Sequence, residues 1–80
     1  METLRLDYLK QRVELATGKV ELIRAENELK RIQDLSSDQV VSPTQVDTAL
    51  RNRDLFKSKV AETAMLIEAL QKRIEDAKYV

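Results

Sequence analysis

The hydrophobic pattern is cleanest in the second half of the chain. Ala49, Arg53, Phe56, Val60, Thr63, Ile67, Leu70, Ile74 and Ala77 follow one another at alternating steps of four and three. A seam of this kind, sustained over several heptads, marks a helix that lays one face along another helix. Only Arg53 and Thr63 suit it poorly. The pattern predicts a helix from about Pro43 to Lys78. The first half is also helical but offers two frames. One runs Leu6, Leu9, Val13, Ala16, Val20, Ile23 and fails at Asn27 and Lys30; the other runs Leu15, Gly18, Leu22, Ala25, Leu29, Ile32. The first reads better below residue 23 and the second above it. Together they make an apolar stripe wider than a two-stranded seam needs. Either the whole stripe covers one partner helix, or its extra edge packs against a neighbouring copy.

No turn signal interrupts either half. Gly18 costs about 1 kcal/mol in a helix interior but does not end the helix. Pro43 does oppose one continuous helix, because proline and the residue before it disfavour an uninterrupted α conformation. The expected fold is therefore all-α, a single antiparallel two-helix coiled-coil hairpin. Helix 1 is expected over about residues 3–36, a tip loop over about 37–42, and helix 2 over about 43–78. Each helix would be about 50 Å long at ~1.5 Å per residue. Such a hairpin has a thin core, since each helix buries only one face. That points to self-association or to an arm of a larger protein.

The segment RIQDLSSDQVVSPTQVD, Arg31 to Asp47, holds the turn. Ser42 is placed to be an N-cap, Pro43 to be the first helical residue, and Gln45 to close a capping box. Val41 and Val46 have the spacing of a hydrophobic staple. Asp47 suits the positive end of the helix dipole, and Arg31 suits the negative end of the preceding helix. Capping does not account for Leu35 or Val40. Leu35 either closes the last turn of helix 1 against Val40 or Val46, or stands exposed at the tip.

Composition supports the helical reading and narrows the chemistry. The 80 residues include one Gly, one Pro and no Cys, His or Trp, with 35% charged and 4% aromatic residues. This is the profile of a long helix or coiled coil. The formal net charge is zero, which argues against a strongly basic nucleic-acid surface. The tip half has a slight basic excess but no aromatic at the tip on which a base could stack, so an RNA-binding arm is disfavoured. No stretch approaches 18 apolar residues. Lys10, Glu14, Glu21 and Glu28 sit at helical spacings and read as a solvated, charge-paired face. Asp34 and Asp38 match no calcium loop. With no His, no Cys and no glycine-rich loop, no catalysis, metal or cofactor is expected.

Arg31, Leu35 and Ser42 form R-x3-L-x6-S across the tip, and Asp47 and Ala49 follow as S-x4-D-x-A. With the flanks AENELKRIQDL and VDTALRNRDLFKSKVAETAMLIEALQKRIEDA, this resembles the helical hairpin of periplasmic adaptor proteins. These are the membrane fusion proteins of tripartite efflux pumps and type I secretion systems. The resemblance covers most of the chain, and the tip spacing is its specific part. It implies that Arg31, Leu35 and Ser42 bind, tip to tip, the periplasmic end of an outer-membrane channel of the TolC type. Leu35 would be an apolar anchor, Arg31 a donor to channel carbonyls or carboxylates, and Ser42 a cap that also bonds outward. It further implies side-by-side association of hairpins and a periplasmic location, in an adaptor anchored at the inner membrane of a Gram-negative bacterium. Nucleic acid and direct membrane insertion are not implied. The family often has a glycine in the loop after the leucine, where this chain has Ser36, Ser37 and Asp38. Only the hairpin portion of an adaptor is matched. The competing reading is an antiparallel coiled-coil module, structural or oligomerising, with no docking role.

Overall fold

The computed structural model describes residues 2–38 and 41–77. Two α-helices account for nearly all of them: α1, Glu2–Ser37, and α2, Pro43–Ala77. They run antiparallel along their whole length and contact each other as an all-α hairpin, with no strand among the described residues. The molecule is a rod of 62 × 14 × 13 Å, one helix pair wide. The expected end of helix 2 at Lys78 and any contact of Val40 with Leu35 lie outside the described residues.

On α2 the heptad seam faces inward from end to end. Ala49 and Leu70 are buried, and Arg53, Phe56, Val60, Thr63, Ile67, Ile74 and Ala77 are half-buried. The two polar members are tolerated because the seam is shallow. Thr63 turns its hydroxyl back to donate to the Lys59 carbonyl at 2.8 Å, and the Arg53 guanidinium reaches out to Asp54 at 2.7 Å. Arg53 thus keeps its charged end wet while its stem lines the seam.

On α1 one expectation is corrected. A single frame faces α2 throughout: Leu4, Tyr8, Gln11, Leu15, Gly18, Leu22, Ala25, Leu29 and Ile32 are all buried or half-buried. The other frame, Leu6, Leu9, Val13, Ala16, Val20 and Ile23, is exposed along its length. The reason is geometric. At about 100° per residue the two frames lie on nearly opposite sides of α1, so they do not merge into the one wide stripe expected. A switch at residue 23 would require α2 to cross to the far side, and its unbroken seam holds it straight. Six apolar residues therefore outweighed the weaker set Leu4, Tyr8 and Gln11 in the pattern but not in the packing.

At Gly18 the two helices approach closely. A Cβ placed there would lie 3.2 Å from Cγ2 of Val60, so the glycine's helix-propensity cost is offset by tight contact with the partner. The densest packing lies nearer the tip, where Leu29, Ile32 and Ala49 form a buried cluster capped by Val41, Val46 and Leu50.

Adjacent frames on α1 give the test. Leu15→Ala, on the packed face, should cost about 1–3 kcal/mol. Val13→Ala, at a side chain 66% exposed, should change stability by no more than about 0.5 kcal/mol. Urea denaturation followed by circular dichroism in dilute solution reads both, and a larger loss for Val13 would reverse the assignment of faces.

Candidate partner-binding site at the hairpin tip

The tip is built from the start of α2 outward. Ser42 donates its N–H to Oε1 of Gln45 at 2.9 Å, and Gln45 returns its own N–H to the Ser42 hydroxyl at 3.3 Å. This is the reciprocal capping box that the spacing predicts. The Ser42 carbonyl accepts from the N–H groups of Gln45 and Val46 at 3.1 and 3.3 Å, opening the helix behind Pro43. Val41 and Val46 both pack against the Leu29–Ile32–Ala49 cluster, so the staple also ties the loop to the core. At the end of α1, Ser37 donates its hydroxyl to the Asp34 carbonyl at 2.7 Å, and the Asp38 N–H bonds the Leu35 carbonyl at 3.1 Å. The Ser37 side chain and the Asp38 backbone thus close this helix through local hydrogen bonds, without a glycine.

The three candidate residues occupy different settings. Arg31 is exposed and grips the Glu28 carboxylate one turn earlier, Nε to Oε2 at 3.1 Å and Nη2 to Oε1 at 2.5 Å. That hydrogen bond, with the attraction between the charges, holds the Glu28 carboxyl below its ordinary value and raises Arg31 above its own. Leu35 lies one turn beyond Arg31 and is half-buried, between the two positions that the pattern leaves open. Ser42 is exposed on the far side of the loop, with its hydroxyl already accepting in the cap. Arg31 and Leu35 therefore share one edge of α1, and Ser42 stands opposite at the head of α2.

Sequence reasoning missed two features of this end. The first is Glu28 as the partner of Arg31; its i, i+3 spacing was the available signal. The second is an open groove of about 260 Å³ beside the tip, floored by Ile32 and Ala49 and rimmed by Glu28, Gln45, Thr48 and Asn52. Thr48 and Asn52 are four apart on the flank of the α2 seam, a position that a seam count passes over. Among the described residues no cluster of acidic side chains is placed to hold a metal ion, and no helix is long and apolar enough to cross a membrane.

Comparison with protein-family profiles, curated proteins and solved structures yields no significant match. What the tip can do therefore rests on its own residues: an exposed guanidinium, a partly exposed leucine and a hydroxyl, arranged around a capped turn.

Two measurements probe the site in the free chain. Ser42→Ala removes the cap and should cost about 0.5–2 kcal/mol in urea denaturation. Arg31→Gln should raise the Glu28 carboxyl toward its ordinary range, read by carboxyl carbon NMR across an acid titration. The sign follows from the pairing: it is present above the ordinary glutamate range and is lost as the pH falls through the depressed value.

Proposed function

We propose that the chain is the helical-hairpin docking arm of a periplasmic adaptor protein in a tripartite efflux or type I secretion complex. Its tip binds the periplasmic end of an outer-membrane channel of the TolC type, and its hairpins associate side by side. It performs no catalysis. The observation that carries the reading is the tip itself. Arg31, Leu35 and Ser42, the residues singled out by the resemblance, are all at least partly accessible at one end of a narrow rod. A rod this thin can enter a groove between helices of a channel and present all three at once.

Each residue has a physical part in such a contact. Leu35 loses its remaining water contact against an apolar pocket. Arg31 carries several N–H donors, so it can keep Glu28 while reaching carbonyl or carboxylate oxygens of the channel. Ser42 holds the loop, and its exposed hydroxyl, which donates to Oε1 of Gln45 at 3.4 Å in the free chain, would turn that proton toward the channel.

The competing reading, a coiled-coil module without docking, is favoured by two facts. Arg31 already has an intramolecular partner, and Leu35 is already half-buried. Binding of the whole chain to a purified TolC-type channel, measured by surface plasmon resonance, separates the readings. Leu35→Ser and Arg31→Asp should each weaken binding at least tenfold while circular dichroism stays helical. Unchanged binding by both folded variants, or no binding by the parent chain, would leave the coiled-coil module as the better description.

A further inference from the structure

The exposed frame of α1 has a charge pattern of its own. Leu6, Leu9, Val13, Ala16, Val20 and Ile23 form a heptad on the side of α1 that points away from α2, and all are exposed. From Leu6 to Ile23 the stripe is about 26 Å long at ~1.5 Å per residue. A helical projection puts Arg5, Arg12 and Lys19 along one border of it, and Lys10 and Arg24 along the other. All five are exposed, and the Arg12 guanidinium lies over the Tyr8 ring, 5.8 Å from its centroid. The two ion pairs among the described residues, Arg31–Glu28 and Arg53–Asp54, involve none of them. The acidic residues of the same stretch, Asp7, Glu14 and Glu21, project between the Lys10–Arg24 border and the seam, where Glu21 lines a groove with Ala25 and Ala49. Between Arg5 and Arg24 the stripe side thus carries positive charge only. The pattern stops short of the tip, where the same side continues as Asn27, Lys30 and Asp34.

We infer that this stripe is a lipid-binding surface, on which α1 lies along a bilayer containing anionic phospholipid. The six apolar side chains enter the boundary between headgroups and acyl chains. The five cations reach lipid phosphates from both borders, with their methylene stems against the apolar edge. Charge selects this occupant. A second copy offers no match, because its own stripe would set positive borders against positive borders. The outward side of its α2 mixes signs, with Lys57, Lys72 and Arg73 beside Asp54, Glu62 and Glu68. An anionic bilayer presents one sign around an apolar interior, the complement of an apolar stripe flanked by cations. The chain's formal net charge is zero, so the attraction comes from the one-sided arrangement and fixes which side faces the lipid. All six apolar residues belong to one unbroken helix of a narrow rod, which suits a flat surface. Because α2 packs on the opposite side of α1, the hairpin binds closed and α2 stays out of the bilayer. The chain lies on the surface; among the described residues no helix is long and apolar enough to cross a membrane. The stripe shares no residue with Arg31, Leu35 and Ser42, so the inference holds whether or not the tip docks on a channel.

Flotation of the whole chain with lipid vesicles, in the absence of any channel, is the test. The parent should float with vesicles of phosphatidylcholine and phosphatidylglycerol, bind pure phosphatidylcholine vesicles at least tenfold more weakly, and be released by added salt. Val13→Asn/Val20→Asn breaks the apolar stripe, and Arg12→Gln/Lys19→Gln neutralises one border. Each pair should weaken binding at least tenfold. Leu55→Asn/Met65→Asn removes exposed apolar surface from α2 instead and should bind like the parent. Circular dichroism should show all three variants folded, because every substituted position is exposed. A parent that does not bind the anionic vesicles overturns the inference, and so does equal binding to both kinds of vesicle. Undiminished binding by Val13→Asn/Val20→Asn overturns it too, since the hairpin would then be opening to present its seam. So does a lipid-free oligomer in sedimentation velocity that ignores vesicles and that Val13→Asn/Val20→Asn dissolves, which would give the stripe to a second copy.

Discussion

A straight α2 seam is the constraint on which the rest of this molecule depends. A hairpin of two helices has one interface, and every inward position on α2 commits α1 to the single face opposite it. That interface selects the Leu15–Gly18–Leu22 frame along all of α1 and brings Gly18 against Val60. It also leaves six large or small apolar side chains pointing to water. Among the described residues α2 is the one element packed against α1, so the second hydrophobic face of α1 is left uncovered.

The two ends of the rod are stabilised differently. Near the tip, a buried cluster, a staple and a reciprocal cap reinforce one another within a few residues. Most inward side chains farther from the tip are only half-buried, with Leu70 the buried apolar anchor toward the other end. Local opening follows the density of buried contacts, so the tip end of the rod opens less readily than the opposite end.

Much of this was legible in the sequence because the signals were redundant. The α2 seam, Pro43, and the Ser42–Gln45 pair each locate the same turn, and they agree. The frame of α1 was not legible in the same way. Leu6, Leu9, Val13, Val20 and Ile23 are more apolar than Tyr8, Gln11 and Gly18, and a periodicity count rewards apolarity without knowing where the partner lies. Only the fixed direction of α2 resolves it. At the tip, the cap could be read from residue types at fixed offsets, whereas the Arg31–Glu28 pair competes with other charge pairings available on a highly charged helix. The identity of what Leu35 touches needs the loop in three dimensions, since helix spacing says nothing about a residue at the edge of a turn.

The rod is 62 Å long and barely wider than its two helices. Held at the end away from the loop, it acts as a lever. A tilt of a few degrees at that end sweeps the tip sideways by several ångströms, a distance comparable to one helical turn. Small changes at the end away from the loop are thus magnified into a much larger change in where the tip lies.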